Sequence, residues 1–253
     1  MPGRAHAGGR APRISTDDIV RVGRALGMGA LSVKAVAAEL GVTAAALYRH
    51  VDGRWGLERL VGESVLAELV LRDDPRHGIE PHLLSFALQL RAFTLTRPGM
   101  ARYMQVLFPR GEAGRRVLTA EVEALARRGY APDAAVVVSG AVASLTIAMA
   151  ASEEQSVAVE REDAGGLDRE RRAATAGLDV DDRLAPAHAA LPRVPRAEYV
   201  RLVLTGAIRG LLGVAPPGRP VADIVADLAT TEKDLATTEK DLAAEDLAIE
   251  KES

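Results

Sequence analysis

The chain has 253 residues, no cysteine, 48 % hydrophobic residues and a formal net charge of −3. That length holds one small and one larger domain with ample core-forming residues, and the lack of cysteine excludes a disulfide framework, a thiol nucleophile and a Cys-based metal site. The charge is unevenly spread: residues 1–60 carry nine Arg or Lys against five acids, and a basic end on an acidic remainder is the electrostatic footprint of a modular DNA binder.

Residues 1–13 are basic and Gly-rich, with Arg4, Arg10 and Arg13. They predict a disordered arm and lack the apolar core of a signal peptide, so a cytoplasmic location is expected. Ser15 or Thr16 caps a first helix with Asp17 and Asp18 in its first turn, favourable for the helix dipole. Ile19, Val22 and Leu26 form its buried stripe, and Gly27 and Gly29 end it.

The next stretch, Leu31 to Arg54, carries the densest signal. Ser32 is an N-cap, and Val33, Val36, Ala37 and Leu40 fall at i, i+3, i+4 and i+7, one apolar face of a short helix. Gly41 stands where a left-handed C′ residue is wanted. Thr43 caps a following helix whose inward face is Leu47 and Val51. Two short helices about a glycine turn form a helix-turn-helix, whose second helix lies in the major groove of DNA. Ala44 and Ala45 let the backbone approach and touch thymine methyls, and Lys34 reaches a phosphate or a guanine edge. Tyr48, His50 and Arg54 reach phosphates, which set register more than sequence. The candidate DNA-contacting set is Ser32, Lys34, Thr43, Ala44, Ala45, Tyr48, Arg49, His50 and Arg54. The plainer alternative is one more helical hairpin.

These residues carry a family resemblance. Gly41-Val42-Thr43 followed by Ala46-Leu47-Tyr48-Arg49-His50-Val51 resembles the helix-turn-helix of the tetracycline-repressor (TetR) family of bacterial regulators, over about the first 65 residues. Arg54 stands where that family usually has a phosphate-binding lysine, Arg49 replaces a common aromatic residue, and Asp52-Gly53 is an unusual approach to the next helix. The resemblance implies an all-α protein: an N-terminal three-helix DNA-binding domain and a C-terminal helical domain for ligand binding and dimerisation. It also implies a homodimer on double-stranded operator DNA, a small-molecule effector and repression as the mode of control.

Arg54 to Leu71 predicts a fourth helix carrying Leu57, Leu60, Val61, Val65, Leu66 and Leu69, the natural lever between effector and DNA. Trp55 packs or touches the DNA backbone near its start. Asp73-Asp74-Pro75 marks the boundary, which divides the chain into an arm (1–13), the DNA-binding domain (14–72), the effector and dimerisation domain (73–220) and a tail (221–253). Residues 80–108 are the candidate pocket segment. They contain all three phenylalanines (Phe86, Phe93 and Phe108), and pockets are lined by aromatic and flexible apolar groups. The candidate ligand contacts are His82, Phe86, Leu90, Phe93, Met100, Tyr103 and Met104; an ordinary core is the competing reading for each. His77 and His82 flank Glu80, but the spacing crosses a proline and no further ligand is evident, so no metal is expected.

Glu112 to Arg128 is amphipathic, with Val117, Leu118, Val122 and Leu125 inward. Ala134 to Ser152 is uncharged and long enough to span a bilayer. It is weak in leucine and has no basic flank, which favours a core and dimer-interface helix over a membrane segment. Glu160 to Arg196, with alternating charges, Gly165-Gly166 and three prolines, predicts a long surface loop with a short helix near Asp168 to Ala176. Ala197 to Leu212 is a last helix; the resemblance assigns it, with 134–152, to a four-helix dimer interface. The tail repeats one heptad at Leu228 and Leu235. Only one strong apolar residue recurs per heptad, which makes a frayed charged helix rather than a coiled coil. No cofactor is implied. Scattered histidines and the lack of a phosphate loop or acid–base constellation argue against an enzyme, which leaves a helical small-molecule carrier or enzyme without DNA binding as the alternative to a regulator. Arginine, not lysine, dominates outside the tail, a trait of GC-rich genomes, and makes a drug or secondary metabolite a reasonable ligand class.

Overall fold

The computed structural model describes residues 14–107, 111–179, 183–190, 194–227 and 229, and every regular element among them is helical. The fold is therefore all-α. The basic arm 1–13, Phe108 and the heptad repeat beyond residue 229 lie outside the described residues.

The first elements are α1 (Thr16–Leu26), α2 (Val33–Glu39), α3 (Ala44–Leu47) and α4 (Gly53–Leu66). Their ends follow local rules. Ser15 caps α1 in a reciprocal capping box with Asp18, while Ser32 and Thr43 cap α2 and α3 through Ala35 and Ala46 N–H groups. Gly41 has φ of 65°. Its N–H donates to Ala38 and that of Val42 to Ala37, the Schellman pattern that closes α2 and turns the chain into α3. Ile19, Val22, Leu31, Val36, Ala37, Leu47, Val51, Leu57 and Val61 form one small hydrophobic cluster.

α4 ends at Leu66, five residues before the expected Leu71, because tertiary contacts satisfy the backbone in place of helical turns. Arg116 donates to the carbonyls of Ala67 (2.7 Å) and Leu69 (3.2 Å). Gln89 pairs with both backbone groups of Arg72, at 2.8 and 2.9 Å. Leu69 thus reaches the core from an irregular segment.

The body comprises α5 (Ile79–Leu95), α6 (Met100–Leu107), α7 (Glu112–Ala126), α8 (Pro132–Asp179), α9 (Leu184–Ala189) and α10 (Arg196–Val214). Its core is a second, larger cluster that begins at Leu66 and draws on α5 to α8 and α10. α8 has the length and hydropathy of a membrane span. In the fold its inner face, including Ala135, Val138, Val142, Ile147 and Ala150, packs under α5, α6, α7 and α10.

The loop expected from Glu160 to Arg196 is not a loop in its first half: α8 runs to Asp179 with a break at Asp163 (φ −149°, ψ 72°). Asp163 Oδ1 accepts the N–H of Gly166 at 2.8 Å, an N-cap that restarts the helix across the glycine pair. Arg171 reaches back across the break to Glu160 at 3.1 Å. Alternating charges thus line an exposed helix rather than a loop.

Candidate nucleic-acid interface and apolar cavity

All nine candidate DNA-contacting residues are in or beside α2, α3 and the start of α4. Lys34, Ala44, Ala45, Tyr48, Arg49, His50 and Arg54 are solvent-exposed, as are the caps Ser32 and Thr43. Behind them, Leu47 is fully buried and Val51 is 6 % exposed. α3 itself is shorter than expected: helical geometry ends at Leu47, and the N–H groups of His50 and Val51 both turn back to the Leu47 carbonyl. The chain bends over residues 48–52 because Asp52 and Gly53 begin α4 at a new angle, with Gly53 at φ of 65°. Tyr48 is 56 % and Trp55 47 % exposed, large aromatic groups standing in solvent on this face. Arg54 donates to Glu58 at 2.6 Å and lies over the Trp55 ring at 5.0 Å, so its guanidinium is held at the amino end of α4.

The body contains an apolar cavity of about 100 Å³. Of the seven candidate ligand contacts, Phe86, Leu90 and Met104 line it, and His82 lines an adjoining hollow of about 150 Å³ that shares Phe86 and Glu121 with the first. Phe93, Met100 and Tyr103 line neither; they are buried in the helix packing. Tyr103 lies flat on Gly62 of α4, where an added Cβ would fall within its ring. Phe93 stacks under the Arg97 guanidinium at 4.1 Å. The missed lining comes from α4 (Leu66), α7 (Gly114, Val117, Leu118 and Glu121) and α8 (Ser139, Gly140, Ala143 and Ile147). One signal for it was legible: Glu121 sits four residues from both Val117 and Leu125, an acid on the apolar stripe of α7.

His82 belongs to a buried polar cluster. Its Nδ1 faces Asp73 Oδ1 and its Nε2 faces Glu121 Oε1, both at 3.0 Å. Asp73 also accepts from Arg128 at 2.6 Å and Arg127 at 2.7 Å. Burial opposes ionisation of Asp73, but the two guanidinium groups outweigh it and hold the carboxyl at about 2. Glu80 lies away from this cluster, paired with Arg209 at 2.8 Å, and among the described residues no group of three or more His, Asp or Glu side chains is arranged to hold a metal ion.

No family model matches the sequence, and no curated protein matches it. Solved structures do. ActR of Streptomyces coelicolor, a TetR family protein solved in complex with actinorhodin, superposes with a TM-score of 0.67 at 24 % identity, covering 83 % of this chain and all of that one. A TetR variant from Acinetobacter baumannii AYE, solved with minocycline, gives 0.54 at 20 % identity, covering 80 % of this chain and 98 % of the other. A third structure, of a protein from Streptomyces coelicolor A3(2), gives 0.57 at 24 % identity, covering 81 % of this chain and all of that one. The chain has the TetR fold.

Within this TetR fold, the head (α1 to the first turns of α4) and the body meet along one seam. Glu68 binds Arg24 of α1 and, at 2.9 Å, Arg97 at the end of α5; both guanidinium groups hold its carboxyl below the usual range. Gly29 donates to Pro98 at 3.2 Å. Glu63 of α4 caps the amino end of α7, accepting from Gly111 (3.0 Å) and Ala113 (2.9 Å). Because Gly114 of that first turn lines the cavity and also donates to Glu63, the wall of the cavity and α4 share one set of hydrogen bonds.

Two further surfaces of the TetR fold remain open. On α8, Val136 and Val137 are about two-fifths exposed; on α10, Tyr199 and Leu202 are more than half exposed. A Cβ added at Gly206, Gly210 or Gly213 would meet only open space. These faces flank the buried stripe of Val200, Leu204 and Ile208.

Proposed function

We propose that this chain is a ligand-responsive DNA-binding transcriptional regulator that acts in the cytoplasm, not an enzyme. It binds a near-palindromic operator as a homodimer, represses from it and is released by a small hydrophobic effector. The observation that carries the reading is the exposed set Lys34, Ala44, Ala45, Tyr48, Arg49, His50 and Arg54 on a small head of TetR fold. Ala44 and Ala45 leave room for close approach to base edges, while Lys34, Tyr48, His50 and Arg54 supply donors for phosphates.

The proposed division places the DNA-binding unit at 14–72 and the effector and dimerisation unit at 73–220. The open faces of α8 and α10 pair with those of a second copy, and the small residues of α10 permit close helix approach. Such a dimer sets two recognition helices about 34 Å apart, one turn of B-DNA. The effector enters the cavity lined by Phe86, Leu90 and Met104. That two proteins of the same fold were solved holding actinorhodin and minocycline supports a small-molecule effector. Occupation of the cavity shifts α7, and the Glu63 cap passes the shift to α4 and the head; a coupling of ~1–3 kcal/mol suffices.

The test is a fluorescence-anisotropy titration of the full chain against duplex DNA flanking its own gene, over a range of salt. Wild type should bind tightly with a steep salt dependence, and Tyr48→Ala and Lys34→Ala should each weaken binding several-fold while the helical fold stays intact. Failure of a folded dimer to select any duplex, even from a genome-wide pool, would favour the carrier or enzyme reading.

A further inference from the structure

The polar corner of the cavity has an open acceptor. Glu121 is 3 % exposed and is the single ionisable residue among the described lining of the apolar cavity. Its Oε1 faces His82, and among the described residues no donor reaches its Oε2. A carboxylate oxygen accepts up to two hydrogen bonds, so a donor brought into the cavity finds a place on Oε2. The rest of the wall offers almost nothing else to a polar ligand: the Ser139 hydroxyl donates into its own helix, to Val136 at 3.3 Å.

Resting on the reading of this cavity as the effector site, we propose that Glu121 is the anchor that selects the effector, an apolar and uncharged molecule carrying a hydroxyl hydrogen-bond donor. The apolar body follows from Leu66, Phe86, Leu90, Met104 and Ile147 around the cavity. The donor follows from the open carboxylate oxygen. The neutrality follows from the same wall: an ammonium brings three donors to one open acceptor, so two would be left unpaired in apolar surroundings. An anionic ligand would meet Glu121 itself. The contact of Glu121 with His82, which in turn faces Asp73, holds the Glu121 side chain in place, so the acceptor is pre-positioned.

The inference is tested by calorimetric titration of the full chain with four matched probes: 2-naphthol, 2-methoxynaphthalene, 2-naphthylmethylammonium and 2-naphthoate. Wild type should bind 2-naphthol roughly tenfold more tightly than the methoxy compound, the value of one buried hydrogen bond, and more tightly than either ion. Glu121→Gln keeps an oxygen for His82 but turns the free acceptor into a donor, so the naphthol advantage should vanish while methoxynaphthalene binding changes little. Ala143→Phe, which fills the cavity away from the polar cluster, should abolish binding of all four. Equal affinity for naphthol and its methyl ether, or a naphthol preference that survives Glu121→Gln, would overturn the role of Glu121 and leave the cavity reading standing. Preference for the ammonium probe would overturn the neutral class. Binding of no probe by wild type would overturn both this inference and the cavity as effector site, and the duplex titration would remain an independent measure of the regulator reading.

Discussion

The head and the body of this molecule are both helical, yet they are specified differently. The head's core draws on a few short helices close together in sequence, and each turn is set by a nearby cap: Ser15, Ser32, Gly41 and Thr43. Its candidate DNA-contacting residues are the ones that core does not use, so they face solvent. The body's cavity is walled by residues from Leu66 to Ile147 on α4, α5, α6, α7 and α8. An outward-facing site follows from one helix's periodicity, whereas an inward-facing one exists only where several helices fail to fill a shared space.

The sharpest way to separate the two regions is to unfold one of them. Leu47→Ala removes a fully buried side chain from the small head core and should cost ~2–5 kcal/mol. Thermal melts should show a lower first transition and duplex binding should fall sharply, while probe binding in the cavity persists. Loss of both activities together would show that the head and body unfold as one unit.

Acid should strike the body. Asp73 has its carboxyl held at about 2 against an ordinary value of 3.8. A depressed folded value means its ion pairs are fully stabilising above about pH 4 and are lost as pH falls toward 2, a loss of ~2 kcal/mol. In equilibrium unfolding between pH 5 and 2, Asp73→Asn should flatten part of the wild-type decline; an unchanged pH profile in the variant would remove Asp73 as its source.

The seam can be probed by Gly62→Ala, which sets a methyl group against the Tyr103 ring and should cost ~1–3 kcal/mol as overpacking. Because α4 belongs to both regions, this change should alter DNA affinity and probe affinity together, in contrast to Leu47→Ala. The smallest effect is expected at the turn: Gly41→Ala forces a Cβ into a backbone of φ 65° and should cost ~1 kcal/mol, read as a small shift in the head's melting temperature.

The helical class, the order of the elements and the solvent-facing set of the head were legible because caps, glycine turns and apolar spacing act within a few residues. Two boundaries were not. The end of α4 is decided by Arg116 and Gln89, which arrive from α7 and α5 to satisfy its backbone. The stretch after Glu160 reads as a loop by its glycines and charges, but Asp163 caps a new helical segment there. The pocket was half legible. Phe86, Leu90 and Met104 do line the cavity, whereas Phe93, Met100 and Tyr103 have the same composition and are spent on packing.

By itself, then, the sequence determined where helices start, which residues of the head face solvent, and that no cysteine chemistry is available. Tertiary structure alone decided which apolar side chains surround empty space, that Glu121 is joined through His82 to Asp73, and that Glu63 ties α4 to the cavity wall. The physical reason is range. Caps and periodicities are interactions between neighbours along the chain, while the buried charge cluster joins residues 9 to 55 positions apart and the cavity lining runs from Leu66 to Ile147, brought together only when the core closes.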